Sequence, residues 1–394
     1  MWEFTSKRMT KTRNVLFLQS SSEHYGSGKI ILQVLRVYHN QGFQPVVVLT
    51  GPGPIEEDLK KDQIPYHIQN LGILRRKYVN PIGLANRISK NLKAYQFLNK
   101  LHRQYQFELV YSNTLAVVVG AYWAKRNQLP HCWHIHEILP GPAPLVKWLS
   151  NLLDQTTPAP IAVSQAVGNH WGGMLKKSEI QVIPNGIPYG EFLEAKGKLK
   201  EELALSQETL LIGMVGRINP GKGQLFFLEI AQNLLKTHSN LHFVLVGDPF
   251  PGYEPILEEI KKEVRNKSLE TRVSYLGFRK DIPELMGSLD IFVLPSVLPD
   301  SFPTVILEAM AASKPVLATR SGGASEMVVE GETGFLIPIG EVDSGATALD
   351  QLIKNKKLRI EMGQAGRARV LSEFSLEGFE EKIKNHLWQH LKKI

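Results

Sequence analysis

The stretch "GRINPGKG" sets two cations, Arg217 and Lys222, five positions apart on one glycine-rich loop. It follows the apolar run "LLIGMV", so the loop opens at the end of a strand. A planar guanidinium fork and a compact ammonium on such a loop suit a diphosphate: one supplies paired donors, the other a point charge. Two cations in a Gly loop have little packing purpose, so a ligand role outweighs a structural one. A second group lies in "LPSVLPDSFPTVILEAMAASKPVLAT". There "IFVLPS" runs into a loop with Asp300, and Pro303 is expected to open a helix, where its missing N–H is no loss. The N–H groups of Thr304 and Val305 would then stand at the positive end of the helix dipole, a favourable place for phosphate. Glu308 lies four residues after Thr304 on the same face. A carboxylate there can accept two hydrogen bonds from a vicinal diol such as a ribose. Asp300 has the plainer alternative of a polar loop residue, and Glu308 that of a dipole partner.

A third loop, "YGSGK", follows the run "NVLFLQ" and precedes the helical pattern "IILQVLRVYHNQG". Its spacing fails a Walker A loop: Glu23 stands where the first Gly belongs, and Ile30 where a magnesium-binding hydroxyl belongs. A dinucleotide fingerprint fails as well, because Ile31 occupies the third Gly position after Gly26 and Gly28. A tight turn and a close approach to a ligand both remain open for this loop.

The segment "HCWHIHE" gathers three histidines and a carboxylate. On a strand, His134 and His136 share one face and His131, Trp133 and Glu137 the other, so only two could ligate together. No D-x-D occurs in the chain. No metal is expected.

Short β-branched runs alternate with helical patterns throughout the 394 residues, the mark of parallel βαβ layers. In the first half they are "NVLFLQ", "PVVVLT", "PYHIQ", "ELVYSN", "CWHIHE", "PIAVS" and "QVIP". In the second they are "LIGMVG", "HFVLVG", "RVSYLG", "IFVLPS", "PVLAT" and "GFLIP". The length suits two domains. The expected division is a first domain over 1–188, a charged linker over 189–206 and a second domain over 207–374. Each open parallel sheet would bind ligands beyond the carboxyl ends of its strands. The single cysteine, Cys132, excludes an internal disulfide and fits a reducing cytoplasm. The longest mostly apolar run, "LAVVVGAYWA", is about half of a membrane span.

The net charge of +8 is uneven: residues 1–188 carry 21 Lys and Arg against 10 Asp and Glu, and the remainder 25 against 28. A basic half points to an anionic partner such as a membrane surface, or else to a solvated face. No aromatic-basic motif of an RNA-binding type is present, and no nucleic-acid partner is expected. In "NRISKNLKAYQFLNKLHRQY", Arg87, Lys90, Lys93, Lys100 and Arg103 recur at multiples of three and form the expected membrane-facing segment.

In order and spacing, "YGSGK", "CWHIHE", "AVSQAV", "VIPNGI", "GRINPGKG", "LGFRKDI", the Asp300-to-Glu308 segment, "SGGASEMV" and "GETGFLIP" resemble the retaining glycosyltransferases of family 4, the glycosyl transferases group 1. The resemblance covers nearly the whole chain. It implies a GT-B fold, with two Rossmann-like parallel-sheet domains facing across a cleft and a last helix, about 375–394, crossing back to the first domain. It implies a metal-independent hexosyltransferase with no cofactor, moving a sugar from a nucleotide diphosphate donor to a saccharide or lipid-linked acceptor with retention. Arg217 and Lys222 would hold the diphosphate, Glu308 the ribose and Asp300 the transferred sugar. His136 would sit near that sugar, Arg279 by the nucleobase, and Gly26 and Gly28 in a loop closing on acceptor and donor phosphate. Gly216, Phe302, Pro303, Thr304 and Val305 would complete the donor site. One departure is Asp300, where the family usually has Glu. The expected location is cytoplasmic, peripheral on the inner face of a membrane. Another GT-B enzyme, such as a nucleotide-sugar epimerase, and a non-catalytic sugar-nucleotide-binding subunit are the competing classes.

Overall fold

The computed structural model describes residues 13–23, 26–74, 78, 80–250 and 252–392. The chain divides into two compact units: Met1–Val163 with Gly168–Ile183 and Glu380–Ile394, and Ser164–Val167 with Pro184–Phe379.

The first unit alternates strand and helix: β1 (Arg13–Gln19), α1 (Ser27–Asn40), β2 (Phe43–Leu49), α2 (Ile55–Lys61), β3 (Tyr66–Ile68) and α3 (Pro81–Tyr105). It continues with β4 (Leu109–Asn113), α4 (Val118–Arg126), β5 (His131–Ile135), α5 (Ala143–Thr156), β6 (Ile161–Ala162), α6 (Gln165–Gly172) and β7 (Gln181–Val182). These strands form one parallel sheet in the order β3-β2-β1-β4-β5-β6-β7. Its central strands read as continuous apolar runs because both faces are covered; Val15 to Leu18 and Val46 to Leu49 are buried. Right-handed crossovers place α1 and α2 on one face and α3, α4 and α5 on the other. The helix α3 is started by Asn80, whose side chain accepts the Gly83 N–H at 2.8 Å, with Pro81 behind it. Its inner residues Ala94, Leu98 and Leu101 join Trp123 and Phe107 in the core.

The second unit begins with α7 (Gly190–Leu193), α8 (Leu199–Glu202), β8 (Leu210–Val215), α9 (Gln224–Leu234), β9 (Leu241–Val246), α10 (Glu254–Asn266), β10 (Val273–Tyr275) and α11 (Ile282–Ser288). Then come β11 (Ile291–Leu294), α12 (Thr304–Ala311), β12 (Val316–Thr319), α13 (Ala324–Met327), β13 (Gly334–Ile337), α14 (Val342–Lys354), α15 (Lys356–Glu373) and α16 (Leu376–Lys392). Its parallel sheet has the order β10-β9-β8-β11-β12-β13. The two sheets reverse their strand order at β1/β4 and at β8/β11, the positions where such sheets open a crevice.

The segment expected as a linker, 189–206, is instead folded into the second unit, with α7 and α8 packed on α11. The first unit also ends earlier than expected, at Ile183. Gly186 lies so near the Ser375 carbonyl that a Cβ there would sit 2.4 Å from it, and the Tyr189 hydroxyl donates to the Phe374 carbonyl at 2.9 Å. Residues of α16 from Glu380 onward belong to the first unit. There His386 donates to the Ala159 carbonyl at 2.7 Å and the Trp388 indole to Gln41 at 3.1 Å. No helix among the described residues is long and apolar enough to cross a membrane.

Candidate active site

In the second unit the loops after β8 and β11 meet at the switch point. Gly223 has φ +81°, and a Cβ there would lie 1.9 Å from the Pro295 carbonyl oxygen, so only glycine lets the two loops close. The Gly221 carbonyl then accepts from Val297 N–H at 2.8 Å, and Asn219 folds the loop by accepting from Gly221 N–H at 2.8 Å. This closure brings Lys222 onto Asp300, and the two form an ion pair with both side chains about four-fifths buried. Arg217, on the same loop, stacks its guanidinium 5.0 Å from the centre of the Phe250 ring, and its carbonyl accepts from Gln224 at 3.1 Å.

A third loop fixes Asp300 from behind. Gly322 has φ +57° and a Cβ there would fall 2.0 Å from the Asp300 carbonyl oxygen, while Gly323 N–H donates to that oxygen at 2.8 Å. The glycines of "SGGASEM" therefore set the backbone of the Asp300 loop. Pro303 occupies the N-cap of α12, one position earlier than expected, and Thr304 is the first helical residue. The difference is conformational: Pro303 has ψ 91°, outside the helical range. No acid and no side-chain cap occupies the start of α12, which leaves its positive end open. Phe302 is buried against Phe374, with ring centres 6.0 Å apart, so its side chain serves the core. Glu308 is buried on α12, close enough to Tyr189 for its charge to add to burial in raising that phenol's pKa.

Arg279 lies in the loop after β10 of the same unit. Its guanidinium is spent on two carboxylates: Asp281 at 2.8 and 2.6 Å and Glu202 at 2.6 and 3.1 Å. It ties α8 to the loop after β10, so the expected nucleobase neighbour is an ion-pair anchor in this structure.

In the first unit Gly26 and Gly28 follow β1. Gly26 has φ +45° at the N-cap of α1, and a Cβ on Gly28 would meet the Glu23 carbonyl at 1.9 Å. Both glycines are thus required by the turn itself. His136 follows β5 and joins a chain of hydrogen bonds across the β1/β4 switch point. The Asn113 amide donates to Gln19 at 2.7 Å and to the Ser27 carbonyl at 3.1 Å, so Asn113 Oδ1 is left to accept from His136 Nε2 at 2.9 Å. That bond places the ring hydrogen on Nε2 and leaves Nδ1 as an acceptor. Burial lowers the His136 pKa to about 3, so the ring is neutral. The other histidines of the strand bond within the fold: His131 lies 2.9 Å from both Ser112 and Thr157, and His134 Nδ1 lies 2.8 Å from the Tyr111 hydroxyl while its buried Nε2 has no hydrogen-bond partner. Among the described residues no three His, Cys, Asp or Glu side chains are grouped to hold a metal ion.

Sequence reasoning missed Asn113, Gln19 and Phe250. The polar end of the strand "VYSN" was the only signal for Asn113. Glu137 was noticed only as a strand neighbour of the histidines. It accepts N–H bonds from Leu115 at 3.2 Å and His136 at 3.0 Å, yet burial outweighs them and lifts its pKa from 4.5 to about 7.

Two family models match the chain: glycosyl transferases group 1 over residues 195–369 and Glycosyltransferase Family 4 over residues 25–190. The chain belongs to the group 1 glycosyltransferases, and family 4 is consistent with both matches. It is similar to a UDP-Gal:alpha-D-GlcNAc-diphosphoundecaprenol alpha-1,3-galactosyltransferase of Escherichia coli, 33% identical over 52% of this chain and 53% of that one. It is 29% identical to a lipopolysaccharide 1,2-N-acetylglucosaminetransferase of Salmonella typhimurium, over 57% of this chain and 61% of that one. The match thus spans about half to three-fifths of the length of these relatives. HepE of Anabaena, solved with UDP and glucose, superposes with a TM-score of 0.82 at 25% identity, over 96% of this chain and 100% of that one.

The Glu137 carboxyl generates a pH prediction. The folded chain holds this proton more tightly than the unfolded chain. Its stabilising contribution is therefore full below pH 4.5 and is lost as the pH rises from 4.5 to about 7. At about 1.4 kcal/mol per unit, the loss is on the order of 3 kcal/mol. Glu137→Gln should flatten that limb of the stability curve in urea denaturation, between pH 4.5 and about 7. An unchanged slope would mean the carboxylate is accommodated at no cost.

Proposed function

We propose that this chain transfers a hexosyl group from a nucleoside-diphosphate sugar to a saccharide or lipid-linked saccharide acceptor, with retention and without a metal or other cofactor. The observation that carries the reading is the Lys222–Asp300 pair, held on two loops that glycines pin together at the β8/β11 switch point beside the open start of α12. The names of the relatives support it: one is named for a UDP-Gal donor and a diphosphoundecaprenol-linked acceptor, and HepE was solved with UDP and glucose. A uridine diphosphate sugar is therefore the first donor to try. The enzyme would work in the cytoplasm, at the inner face of a membrane.

In the proposed reaction the bond between the anomeric carbon and the diphosphate oxygen breaks as the acceptor oxygen bonds to the same face of that carbon. The acceptor proton passes to the departing diphosphate. Arg217, Lys222 and the N–H groups of Thr304 and Val305 stabilise the charge that builds on that diphosphate. Glu308 accepts from the ribose hydroxyls. Asp300 contacts the sugar hydroxyls once the diphosphate draws Lys222 away from it. In the first unit, neutral His136 keeps Nδ1 as an acceptor, oriented by Asn113 through Nε2.

Lys222→Ala should cut transfer by about 10²–10³ while the circular dichroism spectrum stays that of the wild type. Near-normal turnover would remove the loop from the mechanism. Excess EDTA should leave the wild-type rate unchanged. A rate that falls with EDTA and returns with manganese would restore a metal to the reaction.

Calorimetry separates the two carboxylates. Asp300→Ala should impair transfer yet spare binding of free uridine diphosphate, because Lys222 loses a competing anion. Glu308→Ala should weaken both the diphosphate and the intact sugar nucleotide, by about 1.5–3 kcal/mol for a hydrogen bond to a charged group. Equal loss of the free nucleotide in both variants would overturn the placement of the sugar beside Asp300.

A further inference from the structure

The outer side of α3 carries an apolar stripe on the first unit's surface. Leu84, Ile88 and Leu92 recur every four residues and are 44%, 62% and 61% exposed, and Ile82 in the first turn is 84% exposed. Residues four apart lie on one helix face, and this face is not the one that enters the core through Ala94, Leu98 and Leu101. A turn of about 100° per residue puts Lys93, Lys100 and Arg103 on the next sector round the helix. All three are exposed. Arg87, expected among them, is buried with its guanidinium 3.9 Å from the centre of the Tyr78 ring.

The neighbouring helices extend this surface. α4 packs between α3 and α5, joined by Trp123 to Asn99 at 2.8 Å and Lys125 to Gln155 at 3.0 Å. On their outer side Tyr122 and Trp148 are 44% and 39% exposed, with ring centres 6.5 Å apart. Exposed Lys125, Arg126 and Lys147 surround them. Such half-polar aromatics favour a boundary between apolar and wet surroundings. These helices run antiparallel to the strands they connect, so the N-terminal parts of α3 and α5 lie toward the carboxyl edge of the sheet, where ligands bind.

Charge selects the occupant. Residues 63–153 carry eleven Lys and Arg against two acids, Glu108 and Glu137. Glu108 is paired with Arg13 at 2.9 Å, and Glu137 is held by backbone N–H groups. A second copy of this chain would bring like charge against like charge. An anionic bilayer brings phosphate to the cations and hydrocarbon to the stripe.

We infer that the α3–α5 face docks on an anionic lipid bilayer, with Leu84, Ile88 and Leu92 entering the headgroup boundary and Lys93, Lys100 and Arg103 on lipid phosphates. The inference deepens the lipid-linked acceptor reading and rests on that reading only for the purpose of docking, not for its geometry.

The test is co-sedimentation of the full chain with phosphatidylcholine vesicles, with and without phosphatidylglycerol. The wild type should bind the anionic vesicles and release them as salt rises. Ile88→Ser with Leu92→Ser should weaken that binding by about tenfold or more. Lys93→Gln, Lys100→Gln and Arg103→Gln together should weaken it by about a hundredfold and reduce its salt dependence. Both variants should bind uridine diphosphate as the wild type does in calorimetry, and an unchanged circular dichroism spectrum and urea midpoint should show that the first unit, which carries α3, still folds. Equal binding to neutral and anionic vesicles, or apolar variants that bind like the wild type, would overturn the docking face. So would a wild-type dimer in lipid-free buffer that Ile88→Ser with Leu92→Ser dissociates, since the face would then join two copies. A chain that docks as described but neither binds uridine diphosphate nor transfers sugar would sink the transferase reading and leave the docking face standing.

Discussion

The carbonyl oxygens of Pro295 and Asp300 stand almost where a side-chain carbon would be at Gly223 and Gly322. Much of the candidate site depends on that backbone crowding. A parallel sheet delivers its loops to one edge but does not say how near they come. Near approach is what lets a short ammonium side chain from the β8 loop reach a carboxylate on the β11 loop. The glycines thus act through geometry alone. They carry no charge to a ligand, but they set where Lys222 and Asp300 stand before any ligand arrives, which is the preorganisation that electrostatic stabilisation requires.

The Lys222–Asp300 pair also sets a competition. Both side chains are about four-fifths buried, so neither is free to turn fully into solvent. A diphosphate carries more negative charge than one carboxylate, and the unguarded start of α12 favours the same anion. The exchange of partners on Lys222 would leave Asp300 as an acceptor beside the sugar. The aspartate side chain is one methylene shorter than glutamate, and its reach is set by the backbone that Gly322 and Gly323 hold.

The sheets were legible because parallel strands covered on both faces must be apolar along their whole length. Runs such as "NVLFLQ", "PVVVLT" and "HFVLVG" have no other economical fate in a chain punctuated this way by helices. The cations of "GRINPGKG" were legible because glycines and charges in one loop resist a packing explanation. The ion pair of Arg279 with Glu202 was not legible, because Glu202 lies 77 residues before it and local sequence cannot show a bond of that span. The linker was misread because charge and the lack of strands mimic a solvated segment, while α7 and α8 pack through few residues such as Phe192 and Leu199. His136 was visible, but its tautomer was not, because that is set by Asn113 on another strand.

The first unit combines two kinds of surface that composition alone could not separate. Its excess of positive charge is compatible with a plain solvated face. The exposed leucines and isoleucine of α3 are not, because an exposed apolar stripe costs solubility unless something covers it. Charge and apolar surface on one helix, with acids absent from the sequence between Asp62 and Glu108, narrow the partner to one both anionic and able to take in hydrocarbon. The polar network of Gln19, Asn113 and His136 belongs to the same unit, at the carboxyl edge toward which α3 begins. A bilayer held against that end of the helix layer would present an acceptor's lipid anchor and its saccharide to neighbouring parts of one unit.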